Sequence, residues 1–350
     1  MISTTVESAY LYLLISLHVP IEPFTPPLPL LFCLVAAGFA VIASFILVGY
    51  FSRNPRIYSG YPKVNVLKWA LAKNLTGTGT ILLIQIASVL LFVLVVSAGF
   101  FGNQNPVYNL APTFIWVIWW VGIAYASAFL GDVWELLNPW KITFGWLEIL
   151  WRWLNSGKSL LPITQYPEKA GVWPALFLFL AFAWIENVYS DSIIPARISQ
   201  MILVYSVFTW LGMILFGKDA WLKHGEAFSL AFGLLAKFAP TEVRVLDYEV
   251  TAATKRAHDT DLSEAQNKSE IVKRGRQREI NLRPFATGLL DIGKVSTSEM
   301  LFVLLLLATV TFDGFTATMP WINIQNAAEK YIPNIMFIST LGLILSALIL

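Results

Sequence analysis

The chain has 350 residues, of which 57% are hydrophobic and only 13% charged, and its formal net charge is +2. Soluble globular domains carry roughly a quarter charged residues, so this composition excludes an ordinary soluble domain and points to a polytopic membrane protein. The single cysteine, Cys33, lies in an apolar run, excludes an intrachain disulfide and reads as a small core residue.

Apolar runs near 28–51, 79–101, 111–130, 173–188, 200–217, 299–319 and 334–350 predict about seven transmembrane helices in an all-α integral membrane fold. A run of about 18–20 residues matches the ~30 Å hydrocarbon core; the fourth run is short. Ahead of them, residues 1–27 form an outward N-terminal segment. Its stretch YLYLLISL (10–17) is too short to span, and reads either as the h-region of a signal peptide or as a re-entrant or interfacial helix. The last run stops at Leu350 with no polar flank, so the chain is expected to continue.

Basic residues orient the spans. Segments 52–76, 131–172 and 218–298 hold 5, 4 and 13 Lys and Arg, against 0, 0, 1 and 1 in 1–27, 102–110, 189–199 and 320–333. The positive-inside rule makes the first set cytoplasmic and the N-terminus outward, in a plasma or inner membrane. The expected partner is the lipid bilayer, and no nucleic acid is expected.

The loop after the third run, GDVWELLNPWKITFGWLEILWRWLN (131–155), is rich in both tryptophan and charge. Asn138-Pro139 reads as a helix start, with Asn as N-cap and Pro at the first helical position. At 100° per residue Trp140, Phe144, Leu147, Trp151 and Leu154 share a stripe, opposite a strip of Lys141, Gly145, Glu148 and Arg152. This predicts an amphipathic helix over 139–155 on the cytoplasmic interface or packed under the bundle, with Trp134, Trp140 and Trp151 as anchors. The alternative is an aromatic lid over a substrate. Asp132 and Glu135 precede it at the mouth of the third span.

FGKDAWLKHGEAFSLAFGLLAKFAP (216–240) echoes this pattern. A span ends in Gly, a tryptophan (Trp221) follows within four residues, and an amphipathic run comes next. The expectation is a second interfacial helix over 221–238. Either the two segments are related units or two cytoplasmic anchors resemble one another by chance. Membrane helices thus occupy 28–240 and 299–350, and 241–298 is a polar cytoplasmic loop. In that loop EVRVLDYEV alternates like a strand and QREINLR supplies the return arm of a small β-hairpin. The polar stretch between them reads as a mobile connection. Its KRGRQR run suits either a solvated cytoplasmic face or anionic lipid headgroups.

Ionisable groups inside spans are costly and therefore candidate functional groups. Glu186 ends the fourth span, Asp313 lies within the sixth, and His18 falls on the same outward side with Glu22 four residues on. Such a set can bind a divalent metal that activates water, or relay protons. Alternatively the two carboxylates are hydrated or cap neighbouring helices. His224 and His258 fall on the cytoplasmic side. The sequence contains no Gly-rich phosphate loop, Cys/His zinc pattern or H-E-x-x-H.

WELLNPWK, WPALFLFLAFAWIE, FGKDAWLKHGEAFSLAFGLLAKFAP and LLLLATVTFDGF, in this order, resemble a family of polytopic membrane proteins labelled fenitrothion hydrolases. The resemblance begins near Pro23 and covers most of the chain, with 251–278 as an insertion. It implies an organophosphate triester hydrolase that releases a nitrophenol. The matching polar positions are Asn138, Pro139, Glu186, Glu226 and Asp313. It also implies further spans after residue 350, one of them rich in histidine. The sequence thus supports two expectations. One is a membrane-embedded, metal-assisted hydrolase built on catalytic Asp313 and Glu186, with His18, Glu226 and Asn138 as accessory groups. The other is a non-enzymatic small-solute or proton-coupled transporter, or an assembly partner.

Overall fold

A computed structural model describes residues 77–250, 273–289, 295–332 and 334–349, together with Val35, Phe39, Ile42, Val64 and Asn65. Most of the described chain is helical. In chain order the helices are α1 (Thr78–Phe101), α2 (Leu110–Leu130), α3 (Val133–Leu137), α4 (Pro139–Leu154), α5 (Trp173–Asn187), α6 (Pro195–Phe216), α7 (Lys218–His224), α8 (Ala227–Leu235), α9 (Thr297–Thr316), α10 (Met319–Glu329) and α11 (Ile335–Ile349). Five are long and apolar enough to cross a membrane: α1, α2, α5 with its preceding turn (Glu168–Asn187), α6 and α9. Their outer faces carry large exposed apolar side chains such as Leu83, Leu90, Val207, Leu211 and Val310. Such faces are unstable in water and suit lipid.

The described residues thus form a helical protein with five membrane-capable helices among them; the sequence predicts seven. The first predicted span falls mostly outside the described residues. The seventh, α11, is an apolar helix of 15 residues among the described ones. Towards its end, the sixth breaks: α9 stops at Thr316, and Pro320 opens α10 from its first turn, where proline is tolerated.

The described chain from α1 to α8 contains one succession of elements twice. Two antiparallel spans, α1 and α2, are followed by the short α3 and then by α4; the spans α5 and α6 are followed by the short α7 and then by α8. In both cases the second span ends at a glycine with positive φ, Gly131 at 118° and Gly217 at 87°. That backbone region favours glycine and turns the chain sharply out of the span. The short helix then carries a buried tryptophan, Trp134 or Trp221, and the next helix starts on a buried polar residue, Asn138 or Glu226.

Contacts follow the same correspondence. α4 packs on α1 of its own unit and on α6 of the other, while α8 packs on α5 of its own unit and on α2 of the other. The short helices do likewise: α3 meets α1 and α8, and α7 meets α5 and α4. Between the units lies an aromatic core of Trp119, Trp120, Phe179, Phe182, Phe228 and Phe232, with Trp119 and Phe228 edge to face at 4.6 Å. Residues Phe114–Val121 of α2 wind as a π-helix. This wider turn sets Trp120 into the core beside Trp119, and Trp116 into a separate cluster with Val95, Ala111 and Ile198.

The expected hairpin is present and larger than predicted. Strand β2 (Thr241–Val250) pairs antiparallel with β3 (Lys273–Leu282), and Val64–Asn65, as β1, adds a short third strand beside β3. Residues 251–272, including the expected mobile connection, lie outside the described residues. Arg283 ties the sheet to the bundle: its guanidinium donates to the backbone oxygens of Ala236, Lys237 and Ala239 just past α8 and faces Glu242 at 3.5 Å. Cations belong at that negative end of a helix.

Candidate functional site

The two units meet through their helix caps. Asn138 is fully buried, and its Oδ1 accepts from the Lys141 N–H at 3.0 Å, the N-cap bond expected from Asn-Pro. Its Nδ2 donates to Ser229 Oγ at 3.3 Å, in the first turn of the other unit's α8. Glu226 is also fully buried and caps α8. Its Oε1 accepts from the Phe228 N–H at 3.0 Å, its Oε2 from the Ser229 N–H at 2.6 Å, and Tyr205 Oη of α6 donates to Oε1 as well. A carboxylate only accepts hydrogen bonds, and three donors converge on this one. The positive end of α8 lies beneath it. Glu226, Ser229 and Asn138 therefore join α8 to α4 across the junction of the units.

Trp140 continues the junction, donating its indole N–H to Ser206 Oγ of α6 at 2.7 Å and packing on Tyr205 at 5.0 Å between ring centres. Lys218 of α7 pairs with Glu148 of α4, a further link between the units. At the rim, Lys141 bonds Glu135 at 3.0 Å. Asp132 caps α3 through the Glu135 N–H. The residue is exposed, yet the neighbouring protein still partly desolvates its carboxyl. This desolvation is the largest influence on its carboxyl pKa and raises it above the ordinary carboxylate range, outweighing the N–H that lowers it. Burial likewise raises the Tyr166 phenol, which donates to the Gly171 carbonyl and stacks on His224 at 5.2 Å.

Above the junction, between the two pairs of spans, is a cavity of about 910 Å³. Its walls come from α1, α2, α5 and α6, and its floor is the junction itself: Trp134, Trp140, Tyr205 and Phe228. Ligand pockets run roughly 300–1,000 Å³, so this one is large. It is also almost wholly apolar. Ser88, Tyr205, Tyr189, Gln200 and Arg197 are its few polar lining side chains, and the last three belong to the end near the start of α6.

The residues singled out from sequence fall in three places. Asn138 and Glu226 are brought together through Ser229. Glu186 and Asp313 sit at one end of the packed pair α5 and α9, next to Val188 and Phe312 of a second apolar cluster that includes Trp321, Ile338 and Leu343. Both are half-buried, and each has an interaction partner. His18 lies outside the described residues. No group of three or more His, Cys, Asp or Glu among the described residues is placed to hold a metal, so no described donor set fits a divalent ion.

Two expectations need correction. The predicted helix over 221–238 is two helices, α7 and α8, because Gly225 and the capping Glu226 interrupt it. Trp134, Trp140 and Trp221, expected as interfacial anchors, are buried in protein, whereas Trp151 is 42% exposed. Trp221 is gripped between two glycines: a Cβ on Gly212 or Gly225 would come within 2.2 or 2.4 Å of its ring. The predicted stripe on α4 is buried only at Trp140 and Phe144, and Leu147, Trp151 and Leu154 are exposed. Sequence reasoning missed Tyr205 and Ser229 at the junction. The signal for Ser229 was present in H-G-E-A-F-S, where Glu226 precedes it at cap spacing.

Compared with known proteins, the chain matches no family model, no curated protein and no solved structure.

Proposed function

We propose that this multi-pass membrane protein is a non-enzymatic carrier that takes an apolar small molecule from the bilayer into the cavity between its two four-helix units. The observation that carries the reading is the cavity's position, walled by the spans of both units and floored by their shared caps. Carriers built from parallel repeats bind substrate at the repeat interface and work by rocking one repeat against the other. Rocking would then turn about the cap junction, with the aromatic core and the α1–α6 contact as the surfaces that slide. In this reading 131–172 and 218–298 face the cytoplasm, the first predicted span and α11 cross the membrane with the other five, and Trp151 anchors the end of α4 at the interface.

The test uses methyl dibromostearate, a neutral apolar quencher, with the purified chain in phosphatidylcholine nanodiscs. Trp116, Trp119, Trp134, Trp140 and Trp184 line the cavity. The reading predicts saturable tryptophan quenching that is lost when Ala181→Phe fills the wall. Quenching that rises linearly with bilayer content and is the same in both proteins rejects it.

A second reading is the hydrolase implied by the resemblance to fenitrothion hydrolases. The apolar lining favours it to this extent: a neutral aryl phosphate triester is the kind of body such walls accept. Asp313 and Glu186, which stand outside the cavity lining beside Val188 and Phe312, would then be the catalytic carboxylates. Nitrophenol release from fenitrothion by membranes containing the protein, abolished by Asp313→Asn, supports this reading; release no greater than from empty membranes removes it.

A further inference from the structure

We infer that the cavity selects a long apolar chain bearing a single anionic head, and that Arg197 is the residue that receives the head. This deepens the carrier reading and rests on it. Arg197 stands in the first turn of α6, at the end of the cavity opposite the cap junction, and is one of its lining residues. Its guanidinium donates to Gln200 Oε1 at 3.0 Å, and among the described residues it has no carboxylate partner.

Three features make this placement meaningful. The first turn of a helix is its positive end, so a cation there is electrostatically disfavoured and an incoming anion would relieve it. The other walls are apolar, so the guanidinium is the one charged group that a ligand lying in the cavity can meet among the described lining residues. Arginine also offers a planar fork matched to carboxylate and phosphate oxygens. Gln200 beside it supplies a further neutral donor through its amide N–H, whereas the Tyr189 hydroxyl donates to Asp191 at 3.3 Å. The opposite end, with Trp140, Trp134 and Phe228, offers only ring faces, the Tyr205 hydroxyl being committed to Glu226. A molecule polar at one end and apolar for the rest of its length matches this polarity in one orientation, head at Arg197 and tail on the aromatic floor.

The same chemistry is found in a free single-chain amphiphile and in an anionic bilayer lipid. Tryptophan quenching in phosphatidylcholine nanodiscs, in mildly alkaline buffer, compares dibromostearate with its methyl ester. The wild-type protein should bind the acid about tenfold more tightly than the ester, the equivalent of one charge-assisted hydrogen bond. Arg197→Gln should bring the two together while leaving ester binding unchanged, which also shows that the variant is folded. Arg197→Lys should keep part of the preference. Adding phosphatidylglycerol to the nanodiscs identifies the source: competition with dibromostearate assigns the site to a lipid, and lack of competition assigns it to a free amphiphile. Equal binding of acid and ester by the wild type, or a preference that survives Arg197→Gln, overturns the inference and leaves the carrier reading intact. Absence of saturable quenching by either probe overturns both.

Discussion

The segments that follow α2 and α6 begin alike and finish differently. Both leave the span at a positive-φ glycine, both place a tryptophan in the core within four residues, and both start a new helix on a buried polar cap. The first then runs for 16 residues and leaves the protein, so that Leu147, Leu150, Trp153 and Leu154 are exposed. The second stops after 9 residues, with Ala227, Phe228, Ala231 and Phe232 all buried. The cap explains much of the difference in what each helix can do. Asn138 is neutral, satisfied by one N–H and free to reach Ser229. Glu226 is a carboxylate that draws three donors around itself, one of them from a span, and thereby fixes α8 in the centre of the bundle.

The comparison makes the two caps unequal, and this can be broken by substitution. The largest expected effect is Glu226→Leu, which orphans two backbone N–H groups and a tyrosine hydroxyl in a dry site; thermal unfolding in detergent should show a loss of about 3–4 kcal/mol. The glycines come next. Gly212→Leu drives a side chain into the Trp221 ring and should cost about 3 kcal/mol, the upper end for overpacking. Gly145→Ala on α4, where a Cβ meets nothing within 4 Å, should instead raise stability by up to about 1 kcal/mol through helix propensity. Opposite signs are expected from the same kind of change in the two units. Smaller still is Asn138→Ala, at about 1 kcal/mol for a lost cap. Combined with Ser229→Ala it should cost less than the sum, since each single change already removes their shared bond; strict additivity would mean that the caps are not coupled.

The smallest effect concerns Asp132, the N-cap of α3. Its carboxyl pKa is raised in the folded protein, chiefly by desolvation. The fold therefore favours the protonated form, and the contribution of this group to stability is fully present below the ordinary value of about 3.8 and is lost as pH rises through the raised value. Asp132→Asn keeps a capping side chain and should flatten the acid side of the stability–pH profile, leaving neutral-pH stability equal or slightly higher. A profile unchanged by the substitution would show that solvent already reaches the group.

Much of this was legible in the sequence, for identifiable reasons. Spans announce themselves by length and hydropathy, and Asn138-Pro139 is a cap whose chemistry is local. The alternation in 242–250 announces the hairpin, while the glycine-tryptophan echo by itself leaves related units and chance resemblance both open. The remainder depends on tertiary packing. Tryptophan suits both a headgroup layer and an aromatic core, so Trp134, Trp140 and Trp221 could not be assigned by type. Glu226 reads as one more charge on an amphipathic run until Tyr205, over twenty residues earlier, is seen to point at it. A two-residue strand such as Val64–Asn65 carries no pattern, and nothing in FIWVIWWV marks a π-helix as distinct from an α-helix.

The most direct test of the account is a cryo-EM map of the full chain in nanodiscs with a brominated long-chain ligand, whose heavy atoms mark its position. The account predicts ligand density enclosed by α1, α2, α5 and α6, ending above Trp140 and Tyr205, with α4 and α8 related by an approximate two-fold through the Asn138–Ser229 contact. Density confined to the outer lipid-facing surfaces, with the spans closed on one another where the cavity is expected, would contradict it.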